Sequence, residues 1–336
     1  MNWKSHLKAD PIEWLLEEEN PSVRYFTLRD LLDRRENDLE LIEAKNSIME
    51  SKPVKKIFSH QSKEGFWRER KNVCWGYEST WFQLYFFSIL GLDENLARGH
   101  GKYERVKKSC EIIFSWFQGR KSGAFCPKGS ERNGGQESVA WACHTGSTLI
   151  FLIDYGYIED LRTKKAIEWL ISDQRKDGLH KCRNFQPNPK TATQNCYISP
   201  IKPLNAFSKI PEDERTHEMN EYIKRAVEKI FEMEIYKYKL NKKGERVEKP
   251  SWLRFGFPAF MDLLEVLQVL IQLGLRGRKE IRRALDLVLS KSGENGKWKL
   301  ERKPKEKMLA DVGEKGKENK WITLRALRVI KGFYGD

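Results

Sequence analysis

The sequence predicts an all-α protein built from repeats, and three observations carry that expectation. No segment shows the period-two alternation of apolar and polar residues that a half-buried strand needs. Apolar helical stretches alternate along the chain with amphipathic ones, as expected of an inner helical layer covered by an outer layer. One turn recurs at helix ends: Gln61-SKE-Gly65-Phe66-Trp67, Gln118-GRKS-Gly123-Ala124-Phe125, Gln174-RKD-Gly178-Leu179-His180 and Ser292-GEN-Gly296-Lys297-Trp298. In each, a glycine stands where a helix C-terminus wants a left-handed residue. A ring, aromatic or imidazole, follows two residues later.

Residues 1–52 read as a short helical N-terminal extension. Asp10-Pro11 and Asn20-Pro21 each set a capping side chain before a proline at the first helical position. Behind the second, Val23, Phe26, Leu28, Leu31 and Leu32 approximate one apolar face, and the pair of short helices resembles a HEAT-type hairpin. The repeats occupy residues 53–336. Apolar helices are expected in Glu78-STWFQLYFFSIL, Ser138-VAWACHTGSTLIFLIDYG, Ile198-SPIKPLNAF and Ala259-FMDLLEVLQVLIQLG. Their amphipathic partners are Tyr103-ERVKKSCEIIFSWF, Leu161-RTKKAIEWLIS, Met219-NEYIKRAVEKIF and Lys279-EIRRALDLVLS. Lys320-WITLRALRVIKGF ends the series, and residues 240–250 and 299–319 read as charged loops.

With 39% hydrophobic residues, 11 Trp, 17 Phe and 11 Tyr, the 336-residue chain can fill a large core, which excludes global disorder. No apolar run approaches the roughly 18–20 residues of a membrane span. The opening MNWKSHLKADPIEW has no apolar leader segment, so the expected compartment is the cytoplasm, where thiols stay reduced. Lys and Arg outnumber Asp and Glu by 62 to 48, a formal net charge of +14. The excess is uneven: residues 1–50 carry 7 basic and 12 acidic side chains, and residues 276–336 carry 18 and 9. Such a C-terminal segment suits nucleic acid, anionic lipid or a phosphorylated ligand; it equally suits a well-solvated, charge-rich surface.

Four of the six cysteines form two similar pairs, Cys126 with Cys143 and Cys182 with Cys196. The first member of each follows a turn glycine, and the second closes a polar loop. Four thiolates suit tetrahedral zinc or, as an alternative, an iron–sulfur cluster, with His144 or His180 able to replace one ligand. The competing reading is buried thiols that pack as small apolar side chains. Spacings of 16 and 13 residues are not those of a CxxC knuckle. Cys74 and Cys110 read as packing residues. No glycine-rich phosphate loop, Ser-His-Asp arrangement or HExxH motif is present.

The Gln-xxx-Gly-x-Trp turn between paired helices resembles the repeat of squalene and oxidosqualene cyclases, and more loosely that of protein prenyltransferase β-subunits. The resemblance covers roughly residues 53–336. Together with the opening DPIEWLLEEENPSVRYFTLRDLL, the middle WLRFGFP and the close EKGKENKWITLRALRVIK, the pattern is similar to that of small prokaryotic prenyltransferase/squalene-oxidase-repeat proteins. The resemblance implies an α/α toroid, with an inner ring of helices around a cavity and an outer ring around it. It places the four cysteines at one end of the ring, on adjacent repeats. It also implies an apolar or prenyl-type ligand.

Such cavities are lined by rings that stabilise carbocations. Here Tyr77, Trp81, Tyr85 and Phe86 are candidates from one inner helix, and Trp252, Phe255, Phe257 and Phe260 from the segment before another. Arg254 is a candidate for a diphosphate or carboxylate. The same rings equally suit an aromatic core between two helical layers. Asp262 and Glu265 are acid or base candidates if they face the cavity, and structural if they face an arginine. Lys315, Lys317, Lys320 and Arg325 are candidates for a phosphate at the mouth. The departures from the families are as informative. No DxDD acid motif is present, so the chain is not expected to be a protonation-initiated cyclase. The Asp, Cys and His zinc ligands of protein prenyltransferases have no clear counterpart. Cys143-His144-Thr145-Gly146 only approximates the Cys-His-Gly of lanthionine cyclases.

Overall fold

The computed structural model describes residues 3–67, 74, 76–181, 195–196, 199–237, 239–240, 245–248, 251, 253–256, 261–306 and 308–335; at 195–196, 239–240 and 246 only the backbone is described. It is mostly helical. The helices in chain order are α1 (Ile12–Leu15), α2 (Pro21–Phe26), α3 (Leu39–Glu50), α4 (Lys52–Ser59), α5 (Thr80–Ile89), α6 (Glu94–Gly99) and α7 (Tyr103–Phe117). They continue with α8 (Ala142–Asp154), α9 (Leu161–Asp173), α10 (Ile201–Ser208), α11 (His217–Glu232), α12 (Leu263–Gln272), α13 (Lys279–Ser290) and α14 (Lys320–Tyr334). A π-helical turn, Thr27–Leu31, extends α2. Helix α6 had no forecast: its six residues show no readable period, and Asp93 starts it by accepting the Leu96 N–H at 2.8 Å. Small antiparallel ladders, Gly129–Ser130 with Gly134–Gly135, His180–Lys181 with Asn195–Cys196 and Lys239–Leu240 with Arg246–Val247, pin loops. At two residues per strand they are too short to leave a periodic signal.

The chain divides into two compact units. One combines Lys56–Ile230 with residues 306–309. In it α8 packs on α5, on α9 and most extensively on α10. Gly146 of α8 permits that last approach, because a Cβ there would collide with the backbone of Lys202 and Pro203. Helices α5 and α8 are buried almost all round from Phe82 to Phe87 and from Thr145 to Leu152, as the uniformly apolar stretches predict for an inner layer. The outer helices α7 and α9 bury one face each.

The other unit combines Met1–Lys55, Phe231–Lys305 and Ala310–Asp336. Here α14 packs on α12, α13, α1 and α2, and α2 packs on α3. The N-terminal helices, expected as an extension ending at residue 52, therefore share a unit with the C-terminal ones. This arrangement accounts for the uneven charge. Lys320 reaches Glu17 at 2.6 Å and Glu19 at 2.8 Å, Arg328 pairs with Asp30, and Lys331 with Asp33. The acidic N-terminal segment thus neutralises part of the basic C-terminal one. Lys320 and Arg325, assigned to a phosphate at the mouth, lie on α14 with 8% and 3% exposure and ion-pair partners. Packing of α14 buries both cations and pairs them with carboxylates of the chain.

The recurring turn is one structure in all four places. The residue after the helix end donates its N–H to the carbonyl of the residue after the glycine: Ser62 to Phe66, Gly119 to Ala124, Arg175 to Leu179 and Gly293 to Lys297, at 2.8–2.9 Å. The glycine N–H donates back to that first residue's carbonyl, with glycine φ between +71° and +97°. The ring residue then donates its backbone N–H to a hydroxyl near the start of the next inner helix. Trp67 uses Thr80, Phe125 uses Thr145, His180 uses Ser199 and Trp298 uses Thr323, at 3.0–3.1 Å. Gln61, Gln118 and Gln174 reach forward to the carbonyls of Arg105, Arg162 and Tyr222. The glycines rest on α7, α9 and α11, at Lys108, Lys165 and Arg225. The fourth turn has Ser292 in place of glutamine, and Gly296 rests on Ala9 and Pro11 of the N-terminal segment.

Candidate functional site

Two helices of the Lys56–Ile230 unit, α5 and α8, leave residues near their N-terminal ends partly accessible. On α5, Trp81 remains partly accessible while the residues after it are buried. On α8 the same holds for Cys143 and His144. The indole of Trp81 stacks on the His144 imidazole (centroids 4.9 Å, interplanar angle 28°) and on the Tyr85 ring (5.4 Å, 18°). Its Nε1 donates to Thr148 Oγ1 at 2.9 Å, fixing the indole across the α5–α8 seam. Lys202 of α10, 4% exposed, donates to the Tyr85 hydroxyl at 2.8 Å and lies 5.3 Å from that ring's centroid. Three inner helices therefore converge on one aromatic stack with a buried ammonium at its side.

Within the stack, His144 Nε2 is buried and has no hydrogen-bond partner among the described residues. Burial lowers its pKa to about 3, so the ring is an uncharged imidazole at neutral pH. A buried nitrogen left without a partner costs stability.

Tyr77, half-buried, packs edge-on against Phe82 at 4.8 Å, and its carbonyl accepts from Gln83 at 2.7 Å. It lies in the same unit as Trp81. The candidates from the second aromatic segment are dispersed. Phe255 is 1% exposed beneath the Lys291 ammonium, 4.8 Å from its ring, so it is core. Arg254 is exposed. Trp252, Phe257 and Phe260 lie outside the described residues. Asp262 faces an arginine: it caps α12 by accepting the Glu265 N–H at 3.1 Å, and it holds Arg325 with bonds of 2.6 and 3.0 Å. Arg325 also donates to the Gly256 carbonyl at 2.7 Å, and Asp262 accepts the Gly256 N–H at 3.0 Å. With 0% and 4% side-chain exposure this pair is structural, the second of the two roles the sequence allowed. Glu265 is buried on the same helix.

Of the four cysteines paired in the sequence, Cys182 lies outside the described residues, and only the backbone of Cys196 is described. Cys126 is fully buried with Ala124, Ala140 and Trp169, and its thiol donates to the Ala124 carbonyl at 3.7 Å. Burial, reinforced by Glu137, pushes this thiol up to about 12. Among the described residues no three His, Cys, Asp or Glu side chains are grouped as a metal site requires. Cys74 and Cys110 are both buried, as packing residues should be.

His180, the ring of the third turn, is fully buried. Its Nδ1 meets Asp173 at 3.0 Å and its Nε2 meets the Tyr222 hydroxyl at 2.8 Å, so polar bonds replace the indole-to-carbonyl bonds of Trp67 and Trp298. Sequence reasoning missed Lys202 and Thr148. The available signal was a lone lysine in the otherwise apolar Ile198-SPIKPLNAF, and a helix-period match between Thr148 and His144.

No protein-family model matches the chain, and no match is found among curated proteins. Among the described residues no helix is long and apolar enough to cross a membrane.

Proposed function

We propose that the chain is an α/α toroid that binds an apolar, prenyl-type ligand over the Trp81–Tyr85–His144 stack. The carrying observation is the stack itself: three rings from two inner helices, held by Thr148 and Lys202, with Trp81 and His144 partly accessible and Tyr85 buried beneath them. An aromatic wall with few, fixed polar groups is the usual lining of a site for a largely apolar molecule. The toroid is supported by the repeated turn. Three copies rest on the next amphipathic helix, as the repeat of such a fold requires, and the fourth rests on Ala9 and Pro11. The pairing of Asp262 with Arg325 and the lack of a DxDD motif leave this reading a binding function without protonation-initiated chemistry.

Equilibrium dialysis with radiolabelled geranylgeraniol tests it. Saturable binding is expected, weakened about tenfold or more in Trp81→Ala, with far-UV dichroism unchanged. Binding that is absent, or equal in both proteins, overturns the assignment.

A further inference from the structure

A trough runs along the outer layer of the Lys56–Ile230 unit, between α9 and the segment that leads into α11. It encloses about 770 Å³. Its floor is apolar: Ile158, Ile167, Ile171, Ile210 and Met219. Its rim carries Glu159, Glu168, Glu214 and Glu218, with Lys164 as the one cation among the lining residues. Lys164 is spent on Glu159 at 2.7 Å, and Glu218 is engaged by Thr216 and backbone at the start of α11. Glu168 and Glu214 form no ion pair among the described residues. They come from different elements, one on α9 and the other before α11. In a chain of net charge +14, two carboxylates without an ion pair among the lining of one apolar trough are an unusual local balance.

A second observation extends the surface. Leu161, the first residue of α9, is 81% exposed. At helical spacing it lies on the stripe of Lys164, Glu168 and Ile171, so it sets an exposed apolar side chain next to the trough's charged rim. From Lys164 to Ser172 the α9 wall is roughly 12 Å long, about two helical turns.

We infer that this trough is a docking groove for a basic amphipathic helix of a partner protein. The occupant's leucine-type side chains seat on Ile158, Ile167, Ile171 and Leu161, at i, i+3, i+4 and i+7 spacing. Its flanking Lys or Arg side chains meet Glu168 and Glu214. The charge selects the partner: an acidic helix of the same shape is rejected by both carboxylates.

The test uses the full chain and two fluorescein-labelled synthetic peptides. Both carry Leu at i, i+3, i+4 and i+7; one has Lys and Arg on its polar face, and the other has Glu there. Fluorescence anisotropy is expected to show saturable binding of the basic peptide only, weakening as salt screens the rim. Glu168→Lys with Glu214→Lys, both on the surface and neutral to folding, is expected to weaken binding by about tenfold or more. Ile171→Asp is expected to do the same. The proposal is overturned if neither peptide binds, if both bind alike, or if the charge-reversed variant binds as well as the wild type. It is also overturned if sedimentation shows the chain self-associating through this face, with Glu168→Lys dissociating it. Displacement of the peptide by an apolar amine such as dodecylamine at equal affinity would instead mark a small-molecule site.

Discussion

His144 holds its imidazole uncharged because burial lowers its pKa to about 3, whereas the unfolded chain takes up that proton below about 6.5. Between those values the unfolded state binds more protons, so acidification weakens the fold. One edge of the ring is accessible, so the loss at pH 5 is at most about 2 kcal/mol. Urea denaturation at pH 7 and pH 5 should show a smaller pH-dependent loss in His144→Phe, which keeps a ring in the stack; an identical loss in both proteins refutes the burial. Cys126 gives a second test. With its thiol pushed up to about 12, it should alkylate with iodoacetamide far more slowly at pH 8 than partly exposed Cys143, followed by peptide mass spectrometry. Equal rates would contradict the buried, protonated thiol. Asp262→Asn leaves Arg325 buried beside a neutral amide and should cost about 3–5 kcal/mol. Asp262→Leu combined with Arg325→Met should recover part of that loss. Full stability in Asp262→Asn would remove the structural role and restore the acid or base one.

Elements owe their register to the turn, and the turn depends on glycine for two separable reasons. Gly178 has φ +80°, and a Cβ there would collide with the Arg225 carbonyl of α11. Gly274 has φ +77° with nothing nearby. Gly274→Ala therefore measures backbone strain alone, about 1 kcal/mol. Gly178→Ala adds a forced separation of the turn from α11 and should cost clearly more in chemical denaturation. Equal losses would mean that the glycine is needed only for its conformation. The ring of each turn is adapted locally. Trp67 and Trp298 send an indole N–H back ten residues to a helix carbonyl, while His180 turns to Asp173 and Tyr222. The backbone bond to the next hydroxyl survives all these changes, so it defines the repeat better than the ring does.

At the scale of the whole chain, the N-terminal segment completes a unit that the C-terminal helices cannot complete alone. Gly296 rests on Ala9, and Lys320, Arg328 and Lys331 find carboxylates between residues 17 and 33. Exposed pairs of this kind are worth about 0–1 kcal/mol each, so they explain the charge pattern more than the stability. Lys320 and Arg328 are the exceptions, because their side chains are largely buried and losing Glu17 and Glu19, or Asp30, leaves a poorly solvated cation without its partner. Deleting residues 1–11 should therefore raise hydrogen exchange in α13, in the turn at Gly296 and in α14, while α8 and α10 keep their protection. Unchanged protection of α13 and α14 would mean that the N-terminal segment is merely attached.

Helix positions, the Asp10 and Asn20 caps and the fourfold turn were legible in the sequence because each is set within a few residues by spacing, capping chemistry and glycine. The ring stack was half legible. Trp81 and Tyr85 share a helix face one turn apart, but His144 joins them from 63 positions away. The two roles left open for Asp262 were separated only by Arg325, 63 residues on in the chain, and the basic tail found its acids some 300 residues back. By itself, then, the sequence determined the helical class and the turn that repeats. Only the tertiary structure decided which charges are spent on each other and which rings stay partly exposed, because burial and pairing depend on contacts between residues that no local pattern connects.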